Sequence, residues 1–582
     1  MKLTDYVAEI LAKNGVDVIF GYQGSSISHF IDSISRNAQI QFVETRHEQA
    51  AAFAANGFAL ENGSIGVAVS CSGPGAINLM AGIADAYYDS LPCLFITGQV
   101  SAREMRKDME MRQLGFQESD VVSIAKPITK YAVTVCEPEK IAYELEKALH
   151  IMREGREGPV LLDVPHNVQG SQIDVEKLVH FQAKTPVKRE VEEYETISRV
   201  ADCIMHSERP LLLLGGGCRG LKGDSLLHEF IKKMKIPVVS SYRGKDVFDN
   251  NDMFYLGTIG AYGDRCANWA AKYSDCLIVL GSRLDGRQVP DGHDELAGAG
   301  KVIVVDIDET ELRNMSDRFV KIKMDVKVFI NQLYPYFFNF RQSNHQWLNV
   351  VKGWKQRYPD DKEYEIKEGI NPNKFLRVLS TLVPEKTFFT LDVGQNQLWG
   401  NVSLKVGPYQ TLLQSCGLGS MGFALPAAIG GYYAKRKLPI CITGDGGFQM
   451  NIQELQTVSC YHIPIKIFVL DNQSLGLIRI YQDKALGGRH NGSVEGFGNP
   501  EYYSLSKAYG LRYEKIDQDN YNEILKKIFA LDEAFLVEVC ISPHSTNYPE
   551  PTYLSTIDNQ SKELTLEARK QIFMEAYQLE RE

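Results

Sequence analysis

The chain has 582 residues, of which 44% are hydrophobic and 23% are charged, and its net charge is −10 at pH 7. This composition is typical of globular proteins, and the length accommodates three or four domains of about 150 residues each. No basic stripe interleaved with aromatic residues is present, so nucleic acid is not an expected partner. No apolar stretch is long enough to cross a membrane, and the first residues lack the apolar core of a signal peptide, so the cytoplasm is the expected location.

The eleven cysteines are scattered along the chain, with no C-x-x-C pair and no Cys/His cluster. Most of them fall in apolar runs, where a free thiol packs as a small hydrophobe. Neither a disulfide framework nor a zinc site is therefore predicted.

The first third of the chain alternates helix-like and strand-like segments, and we expect one domain over residues 1–183. The pattern predicts an amphipathic helix over 6–13 and a helix of small residues over 76–88. Short apolar runs separated by helices are typical of a parallel sheet covered on both faces. The predicted strands are 18–20, 65–71, 93–97 and 160–164.

The middle of the chain, residues 190–340, alternates strands and helices as a Rossmann domain does, and we expect a second domain there. Its apolar strands each end in glycine or aspartate, and they are predicted at 211–214, 276–280 and 302–305. The charged segment 184–195 is interpreted as a linker, and the mixed aromatic and charged segment 334–369 as a second linker.

The last unit is expected over 368–560, followed by a charged helical tail over 561–582. Its strands are predicted at 387–391, 438–442, 465–470 and 535–539. The predicted fold class is therefore α/β, with three domains that each have a central, mostly parallel sheet flanked by helices.

Two polar segments close successive strands of the last unit. Gly444, Asp445 and Gly446 end one apolar run, and Asn472 follows the next. An acid and an amide at neighbouring strand ends suit an octahedral Mg²⁺ that keeps phosphate oxygens among its ligands. The glycines let the backbone approach a diphosphate closely. The alternative is two buried strands with ordinary turns, but this spacing resembles the magnesium–diphosphate motif of thiamine-diphosphate enzymes.

Glu48 lies where a strand passes into a helix, within the segment Arg46-His47-Glu48-Gln49. Taken alone, a glutamate there favours the helix N-terminus. In a thiamine enzyme, a carboxyl group bonded to the cofactor's pyrimidine nitrogen is required to activate the cofactor. Glu48 is the candidate for that role.

Over nearly its whole length the chain resembles the acetolactate synthase (acetohydroxyacid synthase) family of thiamine-diphosphate enzymes. The resemblance extends from Gly21 to about Pro549. The matching segments are 45–49, 72–78, 115–120, 392–395, 417–428 and 451–455.

The resemblance implies a role for each matching residue. Glu48, Gly24, Phe116 and Gln117 would form the catalytic surface around the reacting carbon. Asp445 and Asn472 would bind Mg²⁺ by their side chains and Ser474 by its backbone carbonyl. Gly419 would contact the aminopyrimidine, and Met421 would hold the bent conformation of the cofactor. The remaining thiamine-diphosphate contacts would be Gly394, Gln395, Asn396, Gly444, Gly446 and Gly447.

The middle unit resembles the FAD-binding domain of the family, so a structural FAD is expected. Three glycines after a strand are weak evidence by themselves, and the alternative is a Rossmann domain without flavin. The residues expected at the flavin are Gly215, Gly216, Gly217, Arg283, Asp285, Asp306, Ile307 and Asp325.

Three residues that differ from the family pattern belong to the predicted binding site of the acceptor substrate. Ala261 stands where the family has Met, Tyr481 where it has Trp, and His166 where it has Lys, whereas Arg287 is retained to hold an acceptor carboxylate. These changes make the predicted acceptor pocket more polar.

The implied activity is decarboxylation of a 2-keto acid, expected to be pyruvate, and transfer of the two-carbon hydroxyethyl/acetyl unit to an acceptor ketone. One alternative acceptor is a keto-sugar nucleotide rather than a second keto acid. A non-catalytic cofactor-binding protein is the alternative of another class. The resemblance also implies a homodimer or homotetramer, because the two halves of the cofactor site come from different chains.

Overall fold

The computed structural model describes residues 1–107, 110–183, 192–290, 292–340, 345–359, 368–518, 520–550, 556–560 and 564–578. They form three six-stranded sheets, and every pairing between neighbouring strands is parallel. The predicted fold class is confirmed. Within these ranges, no helix is long and apolar enough to span a bilayer.

The first sheet has the strand order β2-β1-β3-β4-β6-β5. Its central strands are buried on both faces, which explains their continuous apolar sequence. The strands are β1 (Val18–Gly21), β2 (Gln41–Glu44), β3 (Gly66–Ser70), β4 (Cys93–Gln99), β5 (Tyr131–Thr134) and β6 (Val160–Pro165). The helices are α1 (Leu3–Lys13), α2 (Ser28–Arg36), α3 (Glu48–Asn62), α4 (Pro74–Asn78), α5 (Met80–Tyr88), α6 (Val121–Ala125), α7 (Ile141–Arg153) and α8 (His166–Gln169). The helix predicted over 76–88 is thus two helices that break at Leu79.

The second sheet has the order β12-β11-β10-β7-β8-β9, which is the Rossmann order. Its strands are β7 (Pro210–Leu214), β8 (Val238–Ser240), β9 (Tyr255–Thr258), β10 (Cys276–Leu280), β11 (Lys301–Asp306) and β12 (Val320–Lys323). Its helices are α9 (Glu192–Met205), α10 (Ser225–Met234), α11 (Arg265–Tyr273), α12 (Glu309–Asn314), α13 (Val326–Leu333) and α14 (His345–Arg357).

The two linker predictions are partly wrong. Helix α9 already begins at Glu192, and residues 184–191 lie outside the described part. Helix α14 occupies the middle of the predicted second linker, because Trp347 and Trp354 lie two helical turns apart and are both fully buried in the core of the central domain. The basic residues Lys352, Lys355 and Arg357 in the same segment hid this apolar face in the sequence.

The third sheet has the order β14-β13-β15-β16-β18-β17, which repeats the order of the first sheet. Its strands are β13 (Thr387–Leu391), β14 (Thr411–Gln414), β15 (Leu438–Gly444), β16 (Lys466–Asp471), β17 (Arg512–Ile516) and β18 (Phe535–Cys540). Its helices are α15 (Pro372–Leu382), α16 (Gln395–Ser403), α17 (Ala424–Lys435), α18 (Asp445–Met450), α19 (Leu455–Cys460), α20 (Gly476–Ala485), α21 (Tyr502–Tyr509) and α22 (Tyr521–Phe529).

The tail contains helix α23 (Leu566–Tyr577), which packs on the central domain. Glu575 accepts a hydrogen bond of 2.8 Å from Trp354 Nε1 and is paired with Arg357. The tail is thereby joined to α14.

The first and third domains pack through α3 and α17, whose backbones touch. A Cβ atom on Gly430 would lie 1.8 Å from the carbonyl oxygen of Ala54, and one on Gly57 would lie 2.2 Å from that of Ala427. Only glycine fits at either position. One apolar core runs across this contact, since it contains residues from both domains.

Candidate cofactor and substrate sites

The carboxyl ends of three neighbouring strands form the first part of the site. Strand β13 is followed by Gly394, which has a φ of 139°, and by the N-terminus of α16. Asn396 lies beside Gly444 at the end of β15. A Cβ atom added to Gly444 would be 3.2 Å from Asn396 Oδ1. Asn472 follows β16 and donates a 2.7 Å hydrogen bond to Oε1 of Gln395. Parallel strands thus bring the predicted diphosphate and metal residues to one edge of the sheet.

Asp445 is buried close to a second acid. Asn499 Nδ2 bridges Asp445 Oδ2 at 3.1 Å and Asp471 Oδ1 at 2.8 Å. Burial raises the pKa of Asp445 to about 7, and the charge of Asp471 contributes to the increase. A cation would relieve the cost of holding two carboxylates here.

The polar atoms around Asp445 fit a magnesium ion. Asn499 Oδ1 and Ser474 Oγ are buried without a hydrogen-bond partner, and amide, carboxylate and carbonyl oxygens are the ligands that Mg²⁺ prefers. Among the described residues, no group of three or more His, Cys, Asp and Glu side chains is arranged to hold a metal. The oxygen atoms near Asp445 come from its own carboxylate, from Asp471 across the Asn499 bridge, and from the amide and hydroxyl groups of Asn499 and Ser474.

A buried aspartate fixes the loop between β14 and α17. Asp392 accepts hydrogen bonds from the backbone N–H of Gly422 at 2.9 Å and of Ala424 at 3.0 Å. The same carboxylate excludes any side chain at Gly447, because an added Cβ would lie 2.6 Å from Asp392 Oδ1. Met421 reaches Gly446 from the same loop, its Cε lying 3.4 Å from the position of an added Cβ.

Hydrogen bonds through Ser415 connect Gly419 in this loop to the first domain. Its N–H and that of Ser420 donate to Ser415 Oγ at 3.1 and 2.9 Å, and the Ser415 hydroxyl donates to Asp85 on α5. Burial, followed by the charge of Asp89, raises the pKa of Asp85 to about 7. Asp89 in turn accepts hydrogen bonds from the backbone N–H groups of residues 416 and 417.

Glu48 begins α3 and is 8% exposed. It accepts a 3.0 Å hydrogen bond from Asn78 Nδ2, and Gly75 approaches so closely that an added Cβ would be 3.0 Å from Glu48 Oε1. Gly24 lies on the opposite side of Cys71, where an added Cβ would be 2.6 Å from Cys71 Cβ. These residues form a continuous surface at the carboxyl ends of β1 and β3.

Gln117 and Phe116 border the same surface. The backbone of Gln117 lies against Gly73 and has a φ of 65°, an uncommon conformation for a residue with a side chain. Phe116 is 87% exposed, which is exceptional for an aromatic residue in a folded chain. An exposed ring beside a strained backbone is typical of a binding surface.

Glu48 and Asp445 have no direct link in this chain. Among the described residues, no hydrogen bond or ion pair connects Glu48 to Asp445 or Asn472. The two domains nevertheless meet beside Glu48, where the N–H of Arg46 donates 2.9 Å to Glu454 Oε1 and Asn451 Nδ2 donates 3.4 Å to Gln49 Oε1.

A cavity of about 980 Å³ lies between the three domains at the carboxyl ends of the central sheet. Its size suits a large ligand such as a dinucleotide. Of the residues predicted at a flavin, the cavity is lined by Gly216, Gly217, Arg283, Asp285, Asp306, Ile307 and Asp325. Gly215 lies behind it, where an added Cβ would be 2.1 Å from the carbonyl oxygen of Gly281.

The acids in this cavity already have local partners. Asp325 caps α13 by accepting from the N–H groups of Lys327 and Val328, and Asp285 accepts from the N–H of Arg287. Asp306 accepts from the N–H of Asp308, and burial raises its pKa. The carboxylates of Asp285 and Asp325 therefore shape the loops as well as line the cavity.

Of the four predicted acceptor residues, the structure brings two together. The carbonyl of Arg287 accepts a 2.9 Å hydrogen bond from the N–H of Ala261, and its guanidinium lies 5.8 Å from the ring centre of Tyr242. Tyr481 is 54% exposed on α20, and His166 on α8 stacks with His29 at 4.8 Å. Among the described residues, no hydrogen bond, ion pair or ring contact joins Tyr481 or His166 to Arg287.

Three family models match consecutive parts of this chain. Residues 1–124 match the N-terminal TPP-binding domain of thiamine pyrophosphate enzymes, residues 197–333 their central domain, and residues 392–539 their C-terminal TPP-binding domain. Thiamine pyrophosphate is thiamine diphosphate under its other name.

Curated relatives match over almost the whole length. A probable acetolactate synthase large subunit of Methanocaldococcus jannaschii is 35% identical over 560 residues, which cover 93% of this chain and 92% of the relative. Acetolactate synthase large subunits of Porphyra purpurea and Lactococcus lactis are each 34% identical, covering 93% and 92% of this chain and 92% of each relative. The chain belongs to the acetolactate synthase family of thiamine pyrophosphate enzymes.

Several residues that organise this synthase-like site have no motif of their own. Asp85, Ser415 and Asn499 act through contacts between segments that are far apart in the sequence. Asp392 falls in a matching segment, but only the structure shows that its carboxylate holds the loop after β14. The pattern Asp392-Val393-Gly394 at the end of a strand is the one signal that pointed to it.

Proposed function

We propose that this chain is a thiamine-diphosphate-dependent carboligase of the acetolactate synthase type. It decarboxylates a 2-keto acid, pyruvate, and transfers the two-carbon unit to an acceptor ketone. The observation that carries the proposal is the gathering of Gln395, Asp445 and Asn472 at one sheet edge, in a chain whose relatives are acetolactate synthase large subunits. Eleven free thiols support a location in a reducing compartment, the cytoplasm.

When bound, thiamine diphosphate supplies the nucleophilic carbon and the electron sink for decarboxylation. The N–H groups at the N-terminus of α16 would bind the diphosphate, because helix N-termini favour anions. Asp445, Asn472 and the Ser474 carbonyl would hold the Mg²⁺. Glu48 would hold a proton at the pyrimidine nitrogen, in a pocket closed by Gly75 and Asn78. Gly24, Phe116 and Gln117 would border the reacting carbon, and the exposed ring of Phe116 would help to exclude water once the partner chain covers it.

The structure also supports FAD as a structural cofactor in the interdomain cavity. Ser282 Oγ donates to Gln288, and the Arg283 guanidinium lies 3.4 Å from Asp285 at the cavity wall. The cavity is bounded by all three domains, so a ligand there would join them. Because the transfer of a two-carbon unit has no net redox step, a flavin in this cavity would serve to position the domains and Arg287.

We further propose a homodimer as the smallest active form, with a homotetramer as the alternative. The Glu48 surface of one chain would face the Asp445 surface of its partner. Exposed apolar side chains lie on both surfaces, and they are Ile77, Leu114, Phe116, Leu418, Met450, Ile478 and Tyr481. Such an apolar area is typical of a surface that is covered in the assembly.

A second acceptor class is favoured by particular residues. Tyr481 and His166 present polar atoms where the family has Trp and Lys, and Ala261 leaves more room beside Arg287. Hydroxyl and imidazole groups select acceptors that hydrogen-bond to them, so a keto-sugar nucleotide is the second candidate. The presence of Glu48, Asp445 and Asn472 together weighs against a non-catalytic binding protein.

The test supplies purified protein with thiamine diphosphate, Mg²⁺ and pyruvate, with and without a second ketone, and identifies products by mass. An acetolactate synthase consumes pyruvate alone and forms acetolactate. An enzyme for another acceptor turns over slowly until a keto acid or keto-sugar nucleotide is added. Absence of carbon dioxide release under every condition would refute the proposed activity.

A further inference from the structure

Two thiols of the central domain meet at the start of β10. Cys276 is the first residue of that strand, and Cys203 lies in the last turn of α9. Their Sγ atoms are 3.6 Å apart, with Cys276 buried and Cys203 partly exposed. In the same domain, Cys218 and Cys266 donate instead to backbone carbonyl groups.

A cavity of about 730 Å³ opens onto both thiols. Its wall also contains His206, Arg209, Lys301 and Tyr577. This volume admits a molecule as large as a small peptide thiol. Strand β10 begins at this cavity and ends at the interdomain cavity, five residues or roughly 16 Å away. The thiols therefore lie apart from the proposed cofactor sites.

The surroundings give the two sulfurs different reactivity. Cys203 is partly exposed to the cavity, whereas Cys276 is buried. The contact with Cys276 lowers the pKa of Cys203 to about 7, with help from Lys301 and His206 and against the effects of burial and Asp275, and the same contact and burial raise the pKa of Cys276. Because the thiolate is the nucleophile in thiol chemistry and only Cys203 is accessible, Cys203 is the attacking sulfur and Cys276 the one that resolves.

We propose that Cys203 and Cys276 form a redox-modifiable pair that a low-molecular-weight disulfide, such as oxidised glutathione, converts to an intramolecular disulfide. In the first step, Cys203 Sγ⁻ attacks one sulfur of the oxidant, the S–S bond of the oxidant breaks, and one thiolate leaves. In the second, Cys276 loses its proton, attacks Cys203 Sγ and displaces the second thiolate. The two protein thiols lose two electrons, and the oxidant disulfide gains them.

The thiolate that leaves in the first step can accept the proton of Cys276, so the two steps release one thiol and one thiolate. Closing the bond requires the sulfurs to approach from 3.6 Å to about 2.05 Å. Cys203 lies near the end of its helix, where a small movement is easiest.

The test treats the reduced, cofactor-loaded protein with oxidised glutathione, blocks remaining thiols with iodoacetamide and maps peptides by mass. We expect a Cys203–Cys276 cross-link that dithiothreitol reverses, together with an upward shift of the melting temperature, because the bond ties α9 to β10. Cys276→Ser should retain glutathione on Cys203, since nothing resolves the mixed disulfide. Cys203→Ser should leave Cys276 unmodified, and Cys136→Ser, which removes an exposed thiol elsewhere, should keep the cross-link.

Two results would overturn the proposal, and both are measured on the unmutated protein, so neither depends on how a variant folds. One is a stable glutathione adduct on Cys203 with Cys276 alkylated. The other is a pair that stays fully reduced while Cys136 becomes modified.

Discussion

At the scale of single residues, the surroundings of Glu48 decide what it can do. Its carboxylate is buried, touches Asn78 and has Gly75 against it, so little room is left for water. A carboxyl group in such a place is positioned to hydrogen-bond a bound ligand rather than solvent.

Replacing this group should stop catalysis without unfolding the chain. Glu48→Gln keeps the shape and the acceptor for Asn78, but it removes the acidic proton, so we expect carboligation to fall by about 10²-fold or more. Rates of carbon dioxide release and thermal melting measure the two effects. Glu9→Gln, on α1, is the control. Turnover equal to that of the control would contradict the assigned role.

Arg287 should act on the acceptor carboxylate. Arg287→Ala removes a guanidinium that pairs with carboxylates, so rates with keto-acid acceptors should fall about tenfold or more relative to rates with neutral ketones. Competition between the two acceptor types, analysed by product mass, gives this ratio. Equal losses for both types would mean that Arg287 serves the flavin or the loop structure.

Ser415 should set the affinity for thiamine diphosphate. Ser415→Ala removes the hydroxyl that accepts from Gly419 and Ser420 and donates to Asp85. Loss of these contacts should free the loop and weaken binding of the cofactor roughly tenfold. Titration followed by protein fluorescence measures the affinity, with Ser380→Ala on α15 as the control. An unchanged affinity would show that the loop keeps its shape without Ser415.

At the scale of elements, helix packing places the cofactor loops. Helices α3 and α17 touch through their backbones because glycines lie at the crossing, and α17 follows directly on the loop that carries Gly419 and Met421. The position of that loop therefore depends on the contact between the two helices.

A side chain at this crossing should separate the helices. In Gly430→Val, the new Cβ would lie 1.8 Å from the carbonyl oxygen of Ala54. The backbone must move to relieve this overlap. We expect a loss of about 3 kcal/mol or more in the free energy of unfolding, measured by denaturant titration. Gly353→Ala, on α14 with no atom within 4 Å of an added Cβ, is the matched control. Equal stability of the two variants would refute the close packing.

At the scale of the whole molecule, the proposed homodimer predicts an active site that two chains share. Co-expression of Glu48→Gln with Asp445→Asn should restore activity, because a mixed dimer contains one site with neither change. Random pairing would give about a quarter of the unmutated rate. Each variant expressed alone is the control. A mixed dimer that is isolated and inactive would show that both halves work within one chain.

The sequence by itself determined the α/β class and most of the central strands, with the glycines, acids and amides that follow them. It did not predict β5, β8, β9, β12, β14 or β17, and all of these except β8 lie at sheet edges. Apolar runs and the glycines, acids and amides that follow them are local patterns, and parallel strands bring their ends together whatever lies between. Local pattern was also insufficient for α14, whose apolar face is mixed with Lys352, Lys355 and Arg357, and for the break at Leu79.

Only the tertiary structure decided which distant groups support those residues. The Asp85–Ser415 contact, the Asn499 bridge and the Cys203–Cys276 pair each join segments far apart in the chain. Their hydrogen bonds depend on how domains and elements pack, which no spacing in the sequence encodes.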